Sequence, residues 1–113
     1  MTERKELGKI QSADFGFGGR DNVMFGAAFT LGGESWAVQD FWGSWAPSHV
    51  KVNGHMQWTE LDRSKWHDEQ IRRIEALMYS AKKRHFKDLV GVPIEVTFDG
   101  NLLKSWRVLT EVL

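Results

Sequence analysis

Alternation of apolar and polar positions marks the strands of this chain. Between Val23 and Leu31, apolar residues at the odd positions alternate with mostly small residues at the even positions, which predicts a strand with one apolar face. The small-residue face, with Gly26 and Ala28, is of the kind that another element or a ligand approaches closely. The pattern also predicts strands at Lys9–Phe17 and Ser35–Trp45. Their turns to the central strand fall at Gly18–Asn22 and at Gly32-Gly33.

The third predicted strand has no purely polar face. One side carries Trp36, Val38, Asp40 and Trp42, and the other carries Ala37, Gln39, Phe41, Gly43 and Trp45. This mixture predicts that one side is buried and that the other is a solvated aromatic surface. Residues 46–58 follow as a loop-like excursion, in which Asn53-Gly54 is compatible with a small hairpin.

A period of 3.6 residues then predicts one amphipathic helix of about five turns, capped by Thr59 or Ser64. Its apolar stripe is His67, Ile71, Ile74, Met78, Ala81 and His85, with Leu77 beside it. The opposite face carries Glu69, Arg72, Arg73, Lys82 and Lys83. Gly91 and Pro93 prevent the helix from continuing.

The chain closes with a predicted hairpin. Val92, Ile94, Val96 and Phe98 precede Asp99-Gly100-Asn101, and Leu102, Trp106, Val108 and Val112 follow it. All these apolar positions are even. A two-residue Asp-Gly turn would pair even with odd positions and mix the two faces, so the pattern predicts a three-residue loop, with Lys104 as the exception.

These elements predict an α+β fold in the order β-β-β-α-β-β. About five antiparallel strands form a sheet, and one amphipathic helix packs on one face. Residues 1–8 are interpreted as a polar lead-in and residues 9–113 as a single domain.

Composition narrows the function classes. The 15 Lys and Arg residues balance the 15 Asp and Glu residues, which weighs against a general nucleic-acid binder. Without cysteine, neither disulfides nor thiolate metal sites form. No signal peptide or membrane span is expected, so the expected location is the cytoplasm.

The glycine turn from Gly16 to Asn22 is the best candidate for an anion-binding loop. Its glycines let backbone N–H groups approach a phosphate, and Arg20 adds positive charge. A strand follows this turn rather than a helix, so neither the P-loop nor the dinucleotide fingerprint applies. A strained turn between two strands remains the alternative interpretation.

No catalytic or metal-binding motif stands out. His67 and His85 lie about 27 Å apart on one helix and cannot share an ion, and His49 and His55 lack a third ligand. We therefore predict no metal and no cofactor, and the chain is interpreted as a non-enzyme. The basic face formed by Arg72, Arg73, Lys82 and Lys83 is a candidate phosphate contact, with a solvated surface as the alternative.

Surplus aromatic surface is the strongest indication of binding. The six tryptophans exceed what a small core centre holds, and tryptophan is enriched at interaction hot spots. The predicted binding residues are Gly18, Gly19, Arg20, Asp21, Trp36, Trp42 and Trp45.

Two stretches resemble a family of small tailed-phage and prophage proteins. They are FGFGGRDNVMFGAAFTLGGESWAVQDFWGSW and GVPIEVTFDGNLLKSWRVLTEVL, of which the closing LKSWRVLTEVL is the most specific. The resemblance implies a phage context and carries no catalytic residues with it.

Two hypotheses of function follow. The first is a phage accessory protein in the bacterial host cytoplasm that binds and inhibits a host defence component. The second is a protein that sequesters a nucleotide or another small phosphorylated ligand, with an enzyme acting on such a nucleotide as its variant. A host protein or complex is the expected partner, no membrane is expected, and homo-oligomerisation stays open.

Overall fold

The fold is a five-stranded antiparallel sheet with one long helix. The computed structural model describes residues 3–18, 24–45 and 60–113, without the side chain of Trp45. The strands are β1 (Glu3–Gly18), β2 (Met24–Gly32), β3 (Ala37–Trp45), β4 (Pro93–Asp99) and β5 (Leu102–Val108), and the helix α1 spans Glu60–Ala81. Two short 3-10 helices, Phe86–Leu89 and Thr110–Val112, complete the described elements. The predicted α+β fold and its element order are confirmed.

The strand order is β3-β2-β1-β4-β5, and β1 is the long central strand. Its first half, from Glu3 to Lys9, pairs with β4, and its second half, from Lys9 to Gly18, pairs with β2. The first strand therefore begins at Glu3 rather than at Lys9 as predicted. Residues 3–8, interpreted as a polar lead-in, lie in this strand because backbone pairing with β4 does not depend on apolar side chains.

The sheet curls so that its two edge strands face each other. In a flat sheet β3 and β5 would be about 19 Å apart. Instead, the Trp106 ring of β5 stacks on the Trp42 ring of β3, with centroids 5.2 Å apart. Helix α1 packs against both edge strands, and it thereby covers the opening that the curl leaves.

The core fills the concave side of this sheet. Alternation on β2 holds as predicted, since Ala27, Phe29 and Leu31 are buried. On the helix the buried residues are Gln70, Ile74, Leu77 and Ala81. The predicted stripe is thus wrong at Ile71, which is 55% exposed, and at His85, which lies beyond the last helical residue.

The closing hairpin keeps its apolar residues on one face by a different turn from the one that was predicted. Its turn has two residues, Gly100 and Asn101, because Asp99 pairs with Leu102. A β-bulge next to the turn then shifts the register, so that Val96 pairs with Trp106 and Ile94 with Val108. The predicted pairing of even with even positions is confirmed beyond the bulge, but it is wrong next to the turn, where Phe98 pairs with Leu103 and Leu102 is 75% exposed. The predicted three-residue loop is also wrong.

Candidate functional site

An apolar pit opens between helix α1 and the ends of β1, β2 and β3. It has a volume of about 80 Å³, and its lining is almost entirely nonpolar. The strands contribute Phe15, Phe25, Gly26, Trp42 and Gly43, and the helix contributes His67, Gln70, Ile71 and Ile74. Gly26 of β2 and Gly43 of β3 lie directly opposite each other in the wall of the pit. A Cβ atom added to Gly26 would overlap the backbone of Trp42 and Gly43.

Exposed apolar side chains surround the pit. Phe15 is 49% exposed, Phe17 is 66% exposed and Ile71 is 55% exposed. Both phenylalanines pack against Phe25, with ring centroids 5.5 Å and 5.1 Å away. We call Phe15, Phe17, Phe25 and Ile71 the aromatic rim. A contiguous apolar surface of this kind on a small protein is typical of an interaction site.

The pit is too small for a nucleotide. Small-molecule sites begin at roughly 300 Å³, and a cavity of roughly 150 Å³ is known to hold one benzene ring. The pit, at about 80 Å³, matches a single aliphatic side chain better than an aromatic ring or a nucleobase.

Polar contacts fix the helix to the edge strand beside the pit. The Ser44 hydroxyl and Nε2 of His67 share a hydrogen bond, and Nε1–H of Trp66 donates to the Gly43 carbonyl. Burial lowers the pKa of the His67 imidazole, and the nearby Arg63 guanidinium lowers it further, against a smaller opposing effect of Glu60. The neutral form of His67 is therefore favoured at neutral pH.

The Ser44–His67 pair is arranged as a structural contact. Ser44 is only 1% exposed, and it does not line the pit. A nucleophile must lie within reach of a bound substrate, so this geometry offers Ser44 no route to one. The pair instead holds α1 at a fixed height above β3.

A second, half-buried polar cluster lies where the two edge strands meet. The Asp40 carboxylate accepts hydrogen bonds from the indole N–H groups of Trp42, at 2.8 Å, and Trp106, at 2.7 Å. The Arg73 guanidinium covers the Trp42 ring, 4.0 Å from its centroid. Asp40 therefore joins the two edge strands across the curl of the sheet.

Two larger hollows lie elsewhere on the described surface. One, of about 250 Å³, includes Ser12, Thr30, Gln39 and Phe41. The other, of about 560 Å³, includes Leu7, Lys9 and Glu34 near the turn between β2 and β3. Ligand sites bury most of their ligand, but all three of Leu7, Lys9 and Glu34 are exposed or nearly so. Both hollows have mixed polar and apolar linings, unlike the almost entirely nonpolar lining of the pit.

The described members of the predicted binding set lie at different places in the fold. Gly18 ends β1, while Gly19, Arg20 and Asp21 are outside the described residues. Trp36 packs on Phe98, with ring centroids 5.5 Å apart, and Trp42 is 6% exposed and belongs to the core. Trp42 therefore lines the pit from the core side. Trp45 is the last residue of β3, and its side chain is outside the description.

The predicted basic helix face divides into two parts. Arg72 forms an ion pair with Asp68, at 3.0 Å, and Arg73 stacks on Trp42. Lys82 and Lys83 follow the last helical residue and begin a run of basic residues, which we call the basic segment: Lys82, Lys83, Arg84, His85 and Lys87. All five side chains are exposed.

Metal and membrane features are absent from the part of the chain that the structure describes. Over residues 3–18, 24–45 and 60–113, no three His, Asp or Glu side chains are placed to hold an ion. His49, His55 and the proposed hairpin around Asn53-Gly54 fall outside these ranges, as does the Thr59 cap. No described helix is long and apolar enough to cross a bilayer.

The aromatic rim was not predicted as a site, although the sequence holds a signal for it. Phe15 and Phe17 share a strand face with Ala13, and they pair with Ala27 and Phe25 on the next strand. Alternation thus places three phenylalanines on one face at one end of the sheet. A single helix cannot cover a whole sheet face, so some of these rings had to remain exposed.

Comparisons of the chain with protein-family models, with curated protein sequences and with solved structures find no match. The fold and the site therefore rest on this chain's own geometry.

Proposed function

We propose that this protein acts by binding another protein, through the aromatic rim and the apolar pit that it surrounds. The observation that carries the proposal is the exposure of Phe15, Phe17 and Ile71 around a nonpolar pit. Leaving three large apolar side chains in water is costly unless a partner covers them. Hot spots of protein interfaces have this form, in which an anchor fills a pocket surrounded by packed aromatic groups.

The partner that we propose is a bacterial host protein, bound in the host cytoplasm and inhibited by the contact. The resemblance of the two long stretches to small tailed-phage and prophage proteins supports this choice. The target that we propose is a host defence component. The mechanism is occlusion at a ratio of one to one, since the pit receives one anchor from one partner.

Capture from a bacterial lysate tests the proposal with four immobilised proteins. These are the unchanged chain, Phe17→Ser, Ile71→Ser and the control Tyr79→Ser. Tyr79 is 86% exposed and lies on the solvent side of α1, away from the rim. We expect a host protein to be retained by the unchanged chain and by Tyr79→Ser. Each rim variant should weaken its binding by at least roughly 30-fold, the effect of a hot-spot residue.

The captured protein is then purified and titrated. Its activity should fall in proportion to the added chain and reach its minimum at one equivalent, with a complex of matching mass by light scattering. Equal retention by all four proteins would reject the aromatic rim as the contact. Full inhibition at far below one equivalent would show turnover rather than occlusion.

A further inference from the structure

We propose that the surface recognised by this protein is an acidic protein surface that carries one aliphatic anchor. The anchor enters the apolar pit, and the acidic groups meet the basic segment. This proposal rests on the proposed function and adds the chemistry of the partner.

The basic segment groups several cations that have no internal partners. The described ion pairs engage Arg4, Lys5, Arg63, Arg72, Lys104 and Arg107. Within the described ranges, by contrast, Lys82, Lys83, Arg84 and Lys87 make no side-chain ion pair or hydrogen bond. Only Asp88, the next residue, offsets this charge in sequence. A neutral chain thus concentrates uncompensated positive charge at one place.

The basic segment is held next to the aromatic rim by Phe86. This residue lies between His85 and Lys87, and its ring packs against Phe15 with centroids 6.0 Å apart. It also packs on the buried Phe29, with centroids 5.6 Å apart. Leu89 at the end of the same 3-10 helix is fully buried. A partner that covers Phe15 therefore approaches the basic segment as well.

The geometry of the rim favours a protein over a nucleic acid. Bases stack on open aromatic faces, but Phe15 meets Phe25 at an interplanar angle of 90° and Phe17 meets it at 64°. These rings are packed edge to face on one another. The pit accepts an aliphatic side chain, which nucleic acid lacks. The zero net charge also provides little general attraction for phosphate.

Amide NMR titration of the labelled protein tests the proposal without any host partner. The main probe is a short synthetic peptide with one leucine among glutamates. One comparison peptide has serine in place of the leucine, another has lysines in place of the glutamates, and single-stranded oligothymidylate is the fourth probe. The main probe should shift the amides of Phe15 and Ile71 together with those of Lys83 and Lys87, and its binding should weaken with added salt.

Charge reversal supplies the matched comparison. Lys83→Glu with Lys87→Glu should weaken the main probe at least about tenfold, which corresponds to about 1.4 kcal/mol. Reversal of two exposed lysines elsewhere, Lys9→Glu with Lys65→Glu, should change its binding less than about twofold, or about 0.4 kcal/mol.

Four results would overturn the inference. They are equal binding of the serine peptide, equal binding of the lysine peptide, tighter binding of oligothymidylate, and equal effects of the two double variants. Failure here is distinguishable from failure of the proposed function. If lysate capture depends on Phe17 while no acidic peptide binds, protein binding stands and the acidic partner is rejected.

Discussion

At Gly26 the backbone, rather than any side chain, decides which residue is tolerated. Gly16, Gly26 and Gly43 lie opposite one another on β1, β2 and β3. A Cβ atom at Gly26 would overlap the backbone of Trp42 and Gly43, whereas one at Gly16 meets no atom within 4 Å. Both residues have nearly the same φ, 155° and 157°. Gly16 is therefore a matched control in which the contact alone differs.

We predict that Gly26→Ala lowers the free energy of unfolding by about 2 kcal/mol more than Gly16→Ala does, because it forces two strands apart. Urea unfolding followed by tryptophan fluorescence measures both variants. Equal losses in the two variants would mean that backbone conformation, and not the contact with β3, requires glycine at Gly26.

The Asp40 carboxylate is a second residue whose role is local and testable. Replacing Asp40 with alanine leaves the indole N–H groups of Trp42 and Trp106 without their acceptor. A buried donor without a partner costs about 1–3 kcal/mol, so we predict a loss of about 2 kcal/mol of stability for this half-buried pair. Asp14→Ala, at an exposed position of β1, should change stability by less than about 0.5 kcal/mol. A similar small effect for Asp40→Ala would show that water replaces the carboxylate.

The protonation of His67 should appear in the pH dependence of stability. Burial lowers the pKa of this imidazole in the folded protein, so the unfolded chain takes up the proton first as the pH falls. Stability should therefore be fully present above the ordinary histidine pKa of about 6.5 and decline as the pH falls towards the folded value. Protonation also removes the acceptor on Nε2 that the contact with Ser44 can use.

The measurement is chemical unfolding at a series of pH values for the unchanged chain and for His67→Gln. The variant should have a flatter profile as the pH falls below the ordinary histidine pKa of about 6.5. Carboxylates affect the stability of the protein at lower pH. The pKa of Glu111 falls to about 2 beside Arg107, from an ordinary value of 4.5, and its contribution is lost only as the pH falls through that range. Parallel profiles for the two proteins would exclude His67 as the titrating group.

At the scale of elements, helix α1 ends in an unusual way. Lys82 has a φ of 59° and is the one non-glycine residue with positive φ in the described ranges. Its N–H donates to the Tyr79 carbonyl, and the Lys83 N–H donates to the Met78 carbonyl. This is the Schellman arrangement, in which the left-handed position usually holds glycine.

We predict that Lys82→Gly raises the free energy of unfolding by about 0.5–1 kcal/mol, because it removes the cost of a left-handed side-chain-bearing residue. Thermal and urea unfolding measure the change. Lys83→Gly is the control, since this neighbour has no positive φ, and it should be neutral or destabilising. A loss of stability in Lys82→Gly would mean that contacts of the lysine stem outweigh the backbone strain.

The hairpin of β4 and β5 shows how far a pattern along the chain predicts an element. The even positions gave the correct face for Val96, Trp106 and Val108 because parity follows from the pleat alone. The type of turn that places even positions opposite even positions was not predictable. A three-residue loop and a two-residue turn with a bulge satisfy the same pattern. Leu103, not Leu102, packs against the core as a result.

Helix α1 shows a second limit of periodicity. Gln70 is buried although it is polar, and the exposed Ile71 lies beside it. The Oε1 atom of Gln70 accepts from Arg73 at 3.5 Å, and Ile71 lines the pit. Because α1 contacts both edge strands, packing against those strands sets the rotation of the helix about its own axis. The hydropathy pattern of the helix alone contains no information about that rotation.

For the whole molecule, the curl of the sheet is what the sequence could not reveal. Trp42 and Trp106 are far apart in the strand order and meet only because β3 and β5 approach across the concave face. Two of the six tryptophans are therefore used in the core or packed against it. Among the described strands, the exposed aromatic side chains at the pit are Phe15 and Phe17, which the helix covers only in part. Surplus aromatic surface was predicted from the sequence. Its location depends on how the sheet curls in three dimensions.

The most direct test of the binding site is an amide NMR map of the protein in complex with its captured host partner. We expect the largest shifts at Phe15, Phe17, Phe25 and Ile71, with little change at Ser12, Thr30 and Gln39 on the opposite face of the sheet. Shifts confined to that opposite face, with an unchanged rim, would contradict this expectation.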